Sequence, residues 1–208
     1  MYIFSRSRLA GSESYFEAMT SAVEAATKVT EVTGIEVFTW RVSFGAPLGT
    51  ITWSCRIDSQ ADLSAANEKL AVDTSYMDMA LAMGSQFEGH AEDALMRVVS
   101  GTPSSTPSKY YVATLATMAN GRYRDAMTWG AQMQEFVCDA QDAPGVFGSS
   151  VYGGFGTVGW LMGYDSMEAI DAGSDWEATN EEYHERLDAG SDLFIPGSGQ
   201  QRLIERLT

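Results

Sequence analysis

Alternation of apolar and polar residues along the chain predicts strands separated by amphipathic helices. A strand at about 2–9 precedes a helical pattern over about 12–33, which Gly34 ends. Two strands follow at about 35–44 and 48–57, and Asp58-Ser59 then begin a helical region that reaches about residue 83. A last strand covers about 94–99. The predicted order of elements is therefore β-α-β-β-α-β.

The second half of the chain repeats this order. The segment YFEAMT at 15–20 recurs as YRDAMT at 123–128, and GTITW at 49–53 recurs as GTVGW at 156–160. The second copy has strands at about 109–118, 146–153, 156–164 and 200–207, with helical regions at about 121–141 and 166–191. The sequence thus predicts two ferredoxin-like repeats, 1–101 and 109–208, joined by a linker rich in Pro, Ser and Thr at 102–108.

Two such repeats in tandem resemble the dimeric α+β barrel superfamily in its fused form. That superfamily includes antibiotic-biosynthesis-type monooxygenases, stress-responsive barrel proteins, NIPSNAP-like proteins and the haem-binding chlorite dismutase group. The resemblance implies an α+β fold in which sheets close into a barrel with helices outside. It rests on element order and repetition, so it specifies a fold better than a function.

Composition and charge narrow the classes of partner. The chain has 13 basic and 28 acidic residues and a formal net charge of −15, so we expect no binding to nucleic acid or to anionic membrane surfaces. No apolar run approaches the roughly 20 residues of a membrane-spanning helix. Cys55 and Cys138 match no disulfide or metal spacing, and a reduced cytoplasmic setting is expected.

Basic residues nevertheless occur in the strands of the first copy. Arg41 and Arg56 occupy polar positions of the second and third strands, and Arg6 and Arg8 share a face of the first strand with Tyr2 and Phe4. One interpretation is a cationic patch that binds a carboxylate or phosphate of a small molecule. The alternative is that these arginines face solvent or pair with acidic residues of the helices.

The second copy is instead rich in glycine and aromatic residues. A bare sheet surface leaves room for a ligand, whereas bulges and curvature are the structural alternative. Trp53 of the first copy and Trp160 and Tyr164 of the second are candidates for an apolar ligand pocket, although such residues are commonly core. The glycines occupy positions 145, 148, 153, 154, 156, 159 and 163.

Only two histidines are present, so any histidine chemistry must use them. His184 lies in an acid-rich helical segment, and His90 lies in a predicted loop. The resemblance makes haem ligation by either one an alternative, but their acidic surroundings favour a surface role. Neither has the spacing of a metal site, no nucleophile motif is present, and no cofactor is expected.

These observations favour a small-molecule-binding barrel protein. The resemblance implies a cofactor-independent, monooxygenase-like enzyme that acts on an apolar or aromatic anion, although the sequence identifies no catalytic base. The alternatives are a non-enzymatic protein that forms homo-oligomers, as in stress response, and a haem-binding protein.

Overall fold

The computed structural model describes all of residues 1–208, and its elements follow the predicted order closely. In the first half, the helical region predicted after Asp58 is two helices, and the last strand begins earlier than predicted. A single 3-10 turn, Gly84–Gln86, precedes that strand. The elements are β1 (Tyr2–Ala10), α1 (Tyr15–Thr33), β2 (Val37–Phe44), β3 (Thr50–Ile57), α2 (Gln60–Val72), α3 (Thr74–Met83) and β4 (Phe87–Gly101).

The second half has matching elements. Helices α1 and α4 both have 19 residues, and α2 and α5 both have 13. Positions can therefore be matched element by element between the halves. The elements are β5 (Tyr110–Thr117), α4 (Tyr123–Gln141), β6 (Gly145–Tyr152), β7 (Thr157–Tyr164), α5 (Met167–Thr179), α6 (Glu181–Ala189) and β8 (Gln200–Arg206).

The eight strands have the hydrogen-bonded order of a closed barrel, β1-β3-β2-β8-β5-β7-β6-β4. The pairings of β1 with β3 and β4, and of β7 with β5 and β6, are antiparallel. Two compact units divide the chain: unit 1 contains Met1–Arg97 and Ile204–Thr208, and unit 2 contains Val98–Leu203. The expected α+β fold of ferredoxin-like repeats is confirmed. No helix combines the length and apolarity needed to cross a bilayer.

Side-chain caps explain why each predicted helical region is two helices. Ser59 begins α2 with a reciprocal capping box to Asp62. Asp73 then ends α2 in an extended conformation, and its carboxylate accepts the backbone N–H of Tyr76 to begin α3. Asn180 does the same between α5 and α6 by accepting from Tyr183. A cap residue with non-helical backbone angles thus separates the helices at matching positions.

A tryptophan joins sheet to helix in each unit. The indole Nε1 of Trp53 donates to the carbonyl oxygen of Ala22 at 2.9 Å, and that of Trp160 donates to the carbonyl oxygen of Gly130 at 2.9 Å. Both contacts run from the middle of a strand to the middle of the long helix that covers it. Satisfying the indole N–H in this way lets a large ring contribute to the core without an unpaired donor.

The helix–sheet contact is filled differently in the two units. In unit 1, Ala22 of α1 lies beside Thr39 of β2, and both are fully buried. In unit 2, the matching positions are Gly130 and Phe147, and a Cβ on Gly130 would overlap the Phe147 ring. The larger ring in the strand is therefore accommodated by the smaller residue in the helix, which conserves volume at this contact.

Candidate functional site

Strand register places Arg41 and Arg56 on opposite faces of the unit 1 sheet. Arg41 pairs with Ile51, so it shares a face with the odd-numbered positions of β3, whereas Arg56 is an even-numbered position. Ile51 and Arg56 are also five residues apart, or about 16 Å along the strand. The two arginines cannot bind one carboxylate together, so a patch that contains both does not form.

Arg41 already has an anionic partner. Its Nε donates to the Glu205 carboxylate at 2.8 Å, and this hydrogen bond is the main cause that raises the pKa of Arg41. This ion pair matches the second interpretation of the sequence, in which the arginines are neutralised by acids of the chain, except that the acid comes from β8. Arg56 is half-buried and makes no ion pair.

The two histidines are both exposed. His184 lies on α6, where its ring contacts Tyr183 edge-on and its Nε2 lies 3.3 Å from the carbonyl oxygen of Ala178. His90 lies within β4 rather than in the predicted loop, at an irregularity where the pairing with β1 shifts between Ser7 and Leu9. Exposed imidazoles in these settings do not fit the axial ligand of an enclosed haem. No group of three His, Cys, Asp or Glu side chains is arranged to hold a metal ion.

The glycines of unit 2 mostly make room for neighbouring protein atoms. An added Cβ on Gly145 would meet the Gln134 amide nitrogen and the Met162 sulfur, and one on Gly163 would meet Ser108. Gly153 and Gly156 have positive φ angles of 115° and 77° in the β6–β7 turn. These positions therefore support the structural explanation of the glycine cluster over an open ligand surface.

A chain of polar side chains lies between the sheet and the helices of unit 2. The Tyr164 hydroxyl donates to Gln141 Oε1 at 2.5 Å, and Gln141 Nε2 donates to Glu177 Oε1 at 3.3 Å. Tyr183 also hydrogen-bonds to the Glu177 carboxylate. We call these four residues, Tyr164, Gln141, Glu177 and Tyr183, the carboxylate network. Each end of the Gln141 amide has a complementary partner, which fixes its orientation.

Burial controls protonation in this network. It raises the pKa of Glu177, against the opposing effect of hydrogen bonds from Gln141 and Tyr183. Burial, together with the negative charge of Glu177, raises the pKa of Tyr164 and of Tyr183 to about 12. Both phenols therefore remain neutral donors near pH 7, and Glu177 is the group whose protonation state can change.

Unit 1 shows that the fold does not require this network. The positions that match Gln141, Tyr164 and Glu177 carry an aliphatic or short side chain in unit 1, and only Tyr183 has a matching tyrosine. The unit 1 residues are Thr33, Ile57, Leu70 and Tyr76. Ile57 is 4% exposed, so a buried apolar residue occupies this position in unit 1. A half-buried carboxyl that the fold can do without is a candidate for a functional group.

Sequence reasoning selected Tyr164 but missed Glu177 and Gln141. Glu177 lies in an acid-rich helix, where a carboxylate normally faces water, so its burial has no local signature. The usable signal was the comparison of the two repeats, because a charged residue of one copy stands where the other has leucine. Trp160 shares the helix-facing side of β7 with Tyr164, four residues away, or about 13 Å along the strand.

Several solved structures share this fold. A candidate monooxygenase from Fusobacterium nucleatum aligns over 100% of this chain and 92% of its own, with a TM-score of 0.73 and 8% sequence identity. An anthrone oxidase-like protein aligns over 100% and 91% of the two chains, with a TM-score of 0.68 and 13% identity. A candidate chlorite dismutase aligns over 100% and 96%, with a TM-score of 0.56 and 10% identity.

Likeness at these identities shows the fold and not the activity. The chain has the dimeric α+β barrel fold, in the form with two ferredoxin-like units, as the sequence predicted. No family profile matches the sequence, and no curated protein matches it. No particular family is identified.

Proposed function

We propose that the protein is a cofactor-independent, monooxygenase-like enzyme for a small, weakly acidic aromatic molecule, and that Glu177 removes a proton from that substrate. The observation that carries the proposal is the half-buried Glu177 carboxyl in the carboxylate network. A carboxyl whose pKa is raised is a stronger base than one in water, and it holds a proton that can later be returned. The deprotonated substrate is the aromatic anion expected from the sequence.

The neighbouring residues suit this role. Tyr183 and Gln141 hold the Glu177 carboxylate by hydrogen bonds, and Trp176 lies 5.5 Å from the Tyr183 ring centroid in a tilted arrangement close to edge-on. Phe136 contacts Trp176 in turn, with ring centroids 5.5 Å apart. An aromatic surface therefore adjoins the base, and such a surface suits a flat apolar substrate.

The overall reaction needs molecular oxygen as the only co-reactant. In a substrate with an activated methylene group, that group and one molecule of oxygen give a ketone carbonyl and one molecule of water. One oxygen atom thus enters the product, and the other leaves as water with the two methylene hydrogens. The protein supplies the first step, transfer of one C–H proton to the Glu177 carboxylate. The resulting electron-rich carbanion reacts with oxygen, and the residues of the network return the proton.

Oxygen uptake with anthrone tests the proposal, and the name of the anthrone oxidase-like neighbour supports this choice of first probe. We expect uptake by the intact protein, and a fall of about 100-fold or more in Glu177→Gln, which removes the base but keeps the shape of the side chain. Asp171→Asn is the matched control, because Asp171 is an exposed acid on the same helix and should retain full activity. Equal uptake by Glu177→Gln and Asp171→Asn would remove Glu177 from the mechanism.

A second candidate, assembly into homo-oligomers, is favoured by apolar side chains at the strand turns of both units. Phe44 and Leu48 are 68% and 88% exposed at the β2–β3 turn, and Phe155 is 87% exposed at the β6–β7 turn. Burying them against another copy would remove apolar surface from water. Sedimentation of the intact chain and of a Leu48→Ser, Phe155→Ser variant tests this candidate. A monomer in both cases would exclude it.

A further inference from the structure

One face of β1 in unit 1 carries arginines next to aromatic rings. Strand register places Arg6 opposite Trp53 and Arg8 opposite Ile51, on the side of the sheet covered by α1. The Arg8 guanidinium lies 4.7 Å from the centroid of the Phe87 ring, and the Phe87 and Trp53 rings lie 5.7 Å apart. We call these four residues, Arg6, Arg8, Trp53 and Phe87, the arginine–aromatic patch.

The two arginines of the patch differ in their partners. Arg6 is neutralised by Asp93, which accepts from its Nε and Nη2, both at 2.7 Å. Arg8 has no carboxylate within ion-pair distance, and its Nε is buried without a hydrogen-bond partner. In a chain with 28 acidic and 13 basic residues, this cannot reflect a shortage of acids. Arg8 is therefore a half-buried cation that the protein leaves without an anion.

Unit 2 again shows that the fold does not require these charges. Strand β5 matches β1, and the positions of Arg6 and Arg8 are occupied there by Thr114 and Ala116. The register of β1 with β3 matches that of β5 with β7, with Tyr2 opposite Ile57 and Tyr110 opposite Tyr164. A neutral residue therefore suffices at both positions of the strand, so the charge of Arg8, which has no anionic partner in the chain, has another role.

We propose that the arginine–aromatic patch binds the carboxylate of a small aromatic acid. Phe87 is buried and holds one side of the Arg8 guanidinium, while the half-buried Trp53 indole offers a surface to the ring of the ligand. The planar guanidinium of Arg8 then binds the carboxylate through two parallel hydrogen bonds. Arg6, whose charge is neutralised by Asp93, borders the site. This site is in unit 1 and does not depend on the activity proposed for Glu177.

Calorimetric titration of the intact protein with 2-naphthoate tests the site. We expect saturable binding, and binding at least about tenfold weaker for acetate, which lacks the ring, and for 2-naphthylmethanol, which lacks the charge. Arg8→Gln is expected to weaken 2-naphthoate binding by about tenfold or more. Arg97→Gln is the matched control, because Arg97 lies at the other end of the same face and its partner is the Tyr2 hydroxyl. It should bind as the unmodified protein does.

Several results would overturn the proposal. These are the absence of 2-naphthoate binding by the intact protein, equal affinity for acetate or 2-naphthylmethanol, and equal losses in Arg8→Gln and Arg97→Gln. The last result would indicate general charge attraction. If Arg8→Gln does not fold, Arg8→Lys keeps the charge but not the planar fork, and we expect it to weaken binding about threefold or more. Unchanged affinity in Arg8→Lys would also contradict the proposal.

Discussion

Gly173 gives a direct way to test how the carboxylate network is held in place. This glycine is buried in the interior of α5, and a Cβ at its position would lie 2.5 Å from Gln141 Oε1 and 3.3 Å from the Tyr164 hydroxyl. The matching residue of α2 is Ala66, which is buried, and the position that matches Gln141 carries the shorter Thr33. Glycine at 173 therefore makes room for the Gln141 amide.

The expected energies follow from this geometry. Gly173→Ala should gain about 1 kcal/mol of helix propensity. In the unmodified background its methyl group displaces the Gln141 amide and leaves the Tyr164 hydroxyl without a partner, at about 1–3 kcal/mol. The net change is therefore between about zero and a loss of 2 kcal/mol. In a Gln141→Thr background the amide is already gone, so Gly173→Ala should stabilise by about 1 kcal/mol.

Urea unfolding of the four proteins in this double-mutant cycle measures the coupling between Gly173 and Gln141. We expect a coupling free energy of about 1–3 kcal/mol. The effect of Gly173→Ala should be stabilising in the Gln141→Thr background and close to zero or destabilising in the unmodified one. If Gly173→Ala is equally stabilising in both backgrounds, with coupling below about 0.5 kcal/mol, the Gln141 amide is not held where the structure places it.

Four further predictions concern protonation, core packing and thiol reactivity. Burial raises the pKa of Glu177 above its ordinary value of 4.5, so the folded state binds the carboxyl proton more tightly than the unfolded state does. The stability that this proton contributes is therefore lost as the pH rises through the folded-state pKa. Urea titrations from about pH 4 to 8 should therefore show the unfolding free energy of the unmodified protein falling relative to that of Glu177→Gln as the pH rises. A difference in unfolding free energy that does not change with pH would contradict the burial of Glu177. Trp53→Phe and Trp160→Phe should each lower the unfolding free energy by about 1 kcal/mol, since each loses one hydrogen bond to a helix carbonyl, and no change in either would refute the sheet-to-helix role. Gly130→Ala should destabilise by about 1–3 kcal/mol despite its better helix propensity, because its methyl group meets the Phe147 ring, and a gain in thermal stability would refute this. Burial raises the pKa of the Cys55 thiol to about 11 and also raises the pKa of the Cys138 thiol. Iodoacetamide at neutral pH should therefore alkylate the two thiols only when the protein is unfolded, and rapid labelling of the native protein would contradict this.

Most of the fold could be predicted because its signals are local and occur twice. Period-two alternation located the strands, and Asp58-Ser59 located the start of α2. The break within each helical region was missed, because the side chains of Asp73 and Asn180 cap the next helix only once their own backbone is extended, and no local pattern shows that conformation. The early start of β4 was also missed, since residues 88–94, which follow the buried Phe87, are all exposed and show no apolar alternation.

The candidate sites were less accessible to sequence reasoning because they depend on register. Arg41 and Arg56 both occupy polar positions of neighbouring strands. Only the pairing of Arg41 with Ile51 shows that the two side chains lie on opposite faces of the sheet. Trp53 and Trp160 were selected as pocket residues, and the structure adds that the indole N–H of each is bound to its own helix. The burial of Glu177 arises from contacts among α4, α5 and α6, which no pattern in a single segment encodes.

Proton abstraction by Glu177 can be measured without oxygen chemistry. Anthrone is incubated with the protein in heavy water under anaerobic conditions, and loss of its methylene signal is followed by proton NMR. We expect exchange well above the rate in buffer for the intact protein and for Asp171→Asn, and exchange at the buffer rate for Glu177→Gln. Exchange by Glu177→Gln as fast as by the intact protein would contradict the assignment of Glu177 as the base.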